Sequence, residues 1–165
     1  METQSQPPVD VTQVTGARVL HFELLSDALE EAAALVEQAG TVRPLGNLSL
    51  GQALKHIALT LHGSVDGFGF SVPPEVQAFG RAHKAQVIAG RMRPGTQLPP
   101  AGNARFIPAD CTPEEGLAAL RTAVARLEKE TPHQEHPYLG ELEPDEWHSV
   151  LCRHAELHLG FMLVE

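Results

Sequence analysis

A chain of 165 residues is enough for one domain with a proper core and too short for two. Hydrophobic residues make up 42% and aromatics only 5%, so the core must be mostly Leu, Ala and Val, which suits helices. Twelve basic residues against 21 acidic ones give a net charge of −9, which argues against nucleic acid or an anionic membrane as a partner.

Met1 to Gly16 is polar, carries Pro7 and Pro8 and shows no periodicity; it is expected to be a loose leader before a domain spanning 17–165. It lacks the basic and apolar regions of a signal peptide, and no apolar run approaches the roughly 18 residues of a membrane helix, so the expected compartment is the cytoplasm. There Cys111 and Cys152 are expected as free thiols.

Arg18 to Leu24 is β-branched and aromatic enough to be extended. Ser26 can cap a helix running to about Ala39, with Leu29, Ala32, Ala33 and Val36 as its buried stripe and Gly40 as its stop. Pro44 and Gly46 mark a turn. Asn47 or Ser49 then caps a second helix, on which Leu50, Leu54, Ile57, Leu61 and Val65 recur at helical spacing down to Gly67. His56 lies at the flank of that stripe, beside Ala53 and Thr60, and reads as a boundary residue; His62 points the other way.

The middle, Gly67 to Cys111, is irregular. Pro74 to Ala89 reads as one helix with Val76, Phe79, His83 and Val87 on a face and Gly80 as a weak point. Four prolines between Pro94 and Pro108 then make a wrapping loop, and the only concentration of positive charge is Arg81, Lys84, Arg91 and Arg93. Such a long crossover lets consecutive helices run parallel. Thr112-Pro113-Glu114-Glu115 is the clearest helix start in the chain, with a capping threonine, an early proline and a glutamate placed for a reciprocal cap. Leu117, Leu120, Val124 and Leu127 form its stripe, ending near Glu130. A connector, His133 to Gly140, leads to a last helix opened by Pro144-Asp145-Glu146, with acids at the positive end of its dipole. Four main helices and a covering middle segment make an all-α, four-helix bundle.

The last helix carries the chemistry. At 100° per residue, Trp147, Leu151, His154, His158 and Phe161 share one face, so two imidazoles a turn apart lie on an apolar stripe. Burying both calls for separate hydrogen-bond partners on opposing helices, a shared partner, or a metal ion on which the pair converges. A third histidine from a facing helix would complete the open three-ligand arrangement of a catalytic zinc site, and His56, His83 and His136 are the candidates. No nucleophile motif, phosphate-binding loop or dinucleotide fingerprint is present, and Cys152 is roughly opposite His154 on the wheel.

The run Pro44-Leu-Gly46-Asn47-x-Ser49-Leu50-Gly51-Gln52-x-Leu54-x-His56-x-Ala58 with Asp66-Gly67-Phe68 resembles the first half of a DinB-like (DinB/YfiT-like) protein. The second half is similar too: Thr112-Pro113-Glu114-Glu115, His136-Pro137-x-x-Gly140-x-Leu142 before Trp147, and Arg153-His154-x-x-x-His158-Leu159. The likeness runs from about Arg18 to Met162 and is greatest to a branch labelled a domain of unknown function. It implies a four-helix bundle of up-down-down-up order and a metal triad of one histidine from the second helix and two from the last. Here those are His56, His154 and His158. Leu48 stands where the pattern has tryptophan, and Gly160-Phe161 follow the last histidine where a polar residue is common.

What the resemblance implies is a divalent metal, Zn²⁺ foremost and Ni²⁺ or Fe²⁺ besides, serving transfer of a low-molecular-weight thiol or metal-assisted hydrolysis. The opposing expectation is a non-catalytic bundle that binds a small ligand or a protein partner, with a structural or vestigial metal site. No general base is identifiable: Glu156 falls on the wrong face, which leaves His136. The expected oligomeric state is monomer or homodimer.

Overall fold

The computed structural model describes residues 7–165, so the first six residues of the expected leader lie outside the described residues. Its remainder is tied down in part. Val9 N–H donates to Asn47 Oδ1, Asn47 Nδ2 donates back to Val9 O, and a short 3₁₀ turn spans Val11–Gln13.

The fold is mainly α. The long helices are α1 (Leu25–Glu37), α2 (Leu50–Asp66), α6 (Pro113–Leu127) and α7 (Pro144–Gly160), with three shorter ones, α3 (Pro74–Ala82), α4 (Lys84–Ala89) and α5 (Pro100–Phe106), between α2 and α6. Two three-residue strands, β1 (Val42–Pro44) and β2 (Met162–Val164), pair antiparallel. The four long helices pack in a closed ring, α1 on α6, α6 on α2, α2 on α7 and α7 on α1.

Contacts at the helix ends give their directions. Near their starts, α2 and α6 touch at Gly51 and Gly116; near their ends, Arg126 of α6 forks onto Asp66 of α2. These two helices therefore run parallel, as the long crossover allows. Beyond the end of α2's core the chain meets the segment before α7, where His133 and Gln134 N–H donate to Ser64 O. At the other end Leu45, just before α2, donates to Phe161 O just after α7, so α2 and α7 are antiparallel.

Capping explains several boundaries. Ser49 accepts from Gln52 N while the Gln52 side chain accepts from Ser49 N, and Thr112 and Glu115 do the same for α6. On α1 the cap is different from the expected Ser26. Asp27 reaches back to accept from Glu23 N and Leu24 N, which starts the helix at Leu25 and rotates its buried face to Ala28, Ala32 and Leu35. Arg18 closes the far end of α7, donating to Leu159 O and Met162 O, where orphan carbonyls and the negative dipole end favour a cation. Gly160 is needed there, since a Cβ would meet Arg18 O at 2.6 Å.

Elsewhere the expectations are corrected. The single helix expected over 74–89 is broken at His83, and Val76 and Phe79 are exposed, so no buried face drives it. Part of the wrapping loop is helix α5, which sends Phe106 into the core. Arg18 to Leu24 is irregular; Arg18 N–H donates to Gly160 O, and the strands form at 42–44 and 162–164 instead. Both cysteines are free thiols. No described helix is long and apolar enough to cross a membrane.

The α2–α6 contact is the tightest in the core. A Cβ on Gly51 would lie 2.2 Å from Cys111 O and 2.6 Å from Thr112 O, which are backbone atoms that cannot swing aside. We expect Gly51→Ala to cost about 3 kcal/mol, the upper range of overpacking. Gly40→Ala, where a Cβ meets nothing within 4 Å, is the control. Equal denaturant midpoints for the two variants would refute the close-packing argument.

Candidate metal centre

α7 is buried on nearly all sides. Trp147, Leu151, Ala155 and Leu159 are essentially inaccessible, and Arg153 and Glu156 are buried as a pair. Arg153 Nε donates to Glu156 Oε2, its Nη2 donates to Phe22 O, and Glu156 Oε2 accepts from Phe22 N–H. Glu156 is thus committed to holding the 18–24 segment, and the expectation that it takes no part in the histidine cluster holds.

The three histidines meet. His154 Nε2 lies 3.1 Å from His56 Nε2 and 3.2 Å from His158 Nε2, and one ligand atom from each residue falls within 4.8 Å of the others. Tetrahedral ligation at the zinc–nitrogen distances of about 2.0–2.1 Å separates neighbouring nitrogens by roughly 3.3 Å. Both contacts of His154 Nε2 are therefore at ligand spacing.

His56 is 7% exposed, and its Nδ1–H donates to Phe106 O at 2.7 Å, which leaves the Nε2 lone pair facing the other rings. This is the outer hydrogen bond that orients a metal-binding imidazole. His154 is not so well served. A proton on its Nε2 leaves the buried Nδ1 lone pair without a partner; a proton on Nδ1 is itself unpaired. A cation at the Nε2 side relieves the crowding of three nitrogens, and the donor set of three neutral imidazoles suits a borderline metal such as zinc.

All three rings are held neutral. Burial lowers the pKa of His154 and His158 well below the ordinary value, and the neighbouring imidazoles lower them further. Burial also lowers His56, partly offset by its bond to Phe106 O. His136, pushed down to about 4 by burial, lies beside the cluster but outside it. His83 is elsewhere, its Nδ1 bonded to Phe79 O. Of the three candidates for third ligand, only His56 joins the pair.

The rings line a cavity of about 490 Å³ with mostly apolar walls, including Phe68, Phe70, Leu98 and Phe161. Among the described residues no Asp or Glu lines it, and Arg93 at its rim is the only side chain there with a permanent charge. Cys152 is no nucleophile, because burial raises its thiol to about 11.

A family model described as a protein of unknown function (DUF1569) matches residues 14–165, nearly the whole chain. The chain belongs to the DUF1569 family. No curated protein matches it, and no solved structure does. In this DUF1569 chain the sequence pointed to the three histidines that could hold a metal, but the orienting group was missed. Phe106 contributes a backbone carbonyl, for which residue type carries no signal; its only trace was Pro99-Pro100, which can open a short helix.

Proposed function

We propose that this protein is a DinB-like four-helix bundle of up-down-down-up order. It holds a divalent metal, zinc foremost, on His56, His154 and His158, and acts as a metal-dependent transferase on a low-molecular-weight thiol. The observation that carries the metal reading is the meeting of three neutral imidazoles, with His154 Nε2 3.1 Å from His56 Nε2 and 3.2 Å from His158 Nε2 and one ligand atom of each within 4.8 Å of the others. The bundle reading is supported by the closed ring of long helices and by the parallel run of α2 and α6.

A divalent metal held by His56, His154 and His158 would lower the pKa of a thiol or water bound to it and so supply a nucleophile at neutral pH. This chain's residues do the rest. His56 is aimed by Phe106 O, the apolar walls exclude water from the reacting atoms, and Arg93 offers a charge to an anionic group at the rim. Transfer is favoured over hydrolysis because no carboxylate faces the cavity and His136, the remaining base candidate, has its Nδ1 occupied by the Tyr138 and Leu139 N–H groups. A thiolate needs none once its proton is lost.

Metal analysis of protein purified without an affinity tag is the first test, and about one equivalent of zinc, nickel or iron per chain is expected. Screening thiols on the loaded form follows. A chain that takes up no divalent ion even when it is supplied in excess would leave the non-catalytic, ligand-binding bundle as the better reading.

A further inference from the structure

His136 belongs to the loop His136-Pro137-Tyr138-Leu139-Gly140, which closes on itself. His136 N–H donates to Gly140 O and Gly140 N–H to His136 O, both at 2.9 Å, with Gly140 at φ +77°. Pro137 has no N–H, so the loop's inward donors are Tyr138 and Leu139. Both donate to His136 Nδ1, each at 3.1 Å. A nitrogen that accepts two hydrogen bonds carries no proton, so the ring's proton is on Nε2.

The ring's position is also fixed. Trp147 packs on it with centroids 5.5 Å apart and Phe68 at 6.0 Å. Trp147 is itself held, its Nε1–H donating to Gln134 O. From outside, Gly80 of α3 packs so closely on the loop that a Cβ there would lie 2.0 Å from Tyr138 O. The result is an N–H donor of settled tautomer on the wall of the cavity that His56, His154 and His158 line. Among the described residues no group accepts from it. The donor is not sealed in, since among the described residues only His154 Nδ1 is a buried side-chain nitrogen or oxygen without a partner; it is open to a cavity with mostly apolar walls, where a bound acceptor can reach it.

We infer that His136 is a substrate-binding residue whose Nε2–H donates to a carbonyl oxygen of a small, largely apolar molecule in the cavity. The inference rests on reading this cavity as the substrate site. It names the class of acceptor substrate: an uncharged carbonyl compound, seated with its oxygen toward His136 and its apolar part against the half-buried Phe70. A neutral imidazole N–H polarises a carbonyl without the cost of a buried charge.

Two planar probes of nearly equal shape, acetophenone and α-methylstyrene, differ in the carbonyl oxygen. Their affinities are read from the indole N–H signal of Trp147, the sole tryptophan. His136→Asn keeps an acceptor where Nδ1 was and so keeps the loop, but has no N–H where Nε2 was, its amide NH2 ending one bond short of that position. His136→Gln keeps an N–H where Nε2 was and gives up the loop bonds. Wild type should prefer acetophenone, as should the Gln variant, with the preference falling about fivefold in the Asn variant. An equal preference in wild type and Asn variant, no response of wild type to acetophenone, or imidazole ¹⁵N shifts placing the His136 proton on Nδ1 would each overturn the inference. Cobalt uptake is measured on the same samples. Failure of uptake with the preference intact would overturn the metal reading alone.

Discussion

Acid should unfold the metal-free protein well above the range of ordinary carboxylate titration. His136, His154 and His158 are all held far below the ordinary 6.5 by burial, and His56 is lowered as well. The unfolded chain binds protons at these histidines from about pH 6.5 downward, whereas the folded chain does not until their depressed values are reached. Stability therefore falls as pH falls, beginning near 6.5 and continuing toward 4, where His136 titrates in the folded state. Each such group contributes about 1.4 kcal/mol per pH unit at most, so three give up to about 4 kcal/mol per unit. Against a total stability of about 5–15 kcal/mol that is decisive. Denaturant melts with chelator at pH 7.5, 6.5, 5.5 and 5.0 measure it, and His154→Leu should flatten the slope by about one proton. A stability independent of pH between 7 and 5 would contradict the buried, neutral cluster.

His154→Ala should abolish stoichiometric metal while leaving the fold in place. His154 Nε2 makes both of the short nitrogen contacts in the cluster, so its loss breaks the set rather than trimming it. The affinity should fall by more than the roughly 10–100-fold that loss of an outer partner costs. Stability should change by only about 1–3 kcal/mol, the range of an ordinary core substitution, partly offset because an unsatisfied buried Nδ1 also disappears. The fold does not depend on the site, because its core of Leu54, Ile57, Leu61, Leu120 and Leu151 is large enough without a metal. Metal content and thermal melts, with and without chelator, give both numbers. Full metal retention in the variant would remove His154 from the site. Complete unfolding of wild type by chelator alone would make the metal structural and undercut the catalytic reading.

How much of this could be read in the chain depended on whether the signal was local. Ser49 with Gln52 and Thr112 with Glu115 are caps made within four residues, and both formed. The stripe from Leu50 to Val65 is buried as spaced. His154 and His158 lie on one helix, so their convergence followed from the helical repeat, whereas choosing His56 over His83 and His136 needed the family likeness. What escaped was set at a distance. Phe106 O, the β1–β2 pairing across more than a hundred residues and the break at His83 are decided by where other segments lie. Periodicity also misled where the apolar residues were never covered, as at Val76 and Phe79. The basic concentration reads differently too, because Arg81 pairs with Glu135 and Lys84 with Glu146.

The interleaving of Arg153 and Glu156 with His154 and His158 has a bearing on how such a protein can change. The pair grips Phe22 from one side of α7 while the imidazoles point out of the other. Rolling the helix about its axis would tear the backbone clasp before it moved the rings far. The orientation of α7 is thus keyed by groups that take no part in ligation. Exchanging one of the three histidines for a carboxylate would then change the donor set of the candidate site without asking the frame to readjust.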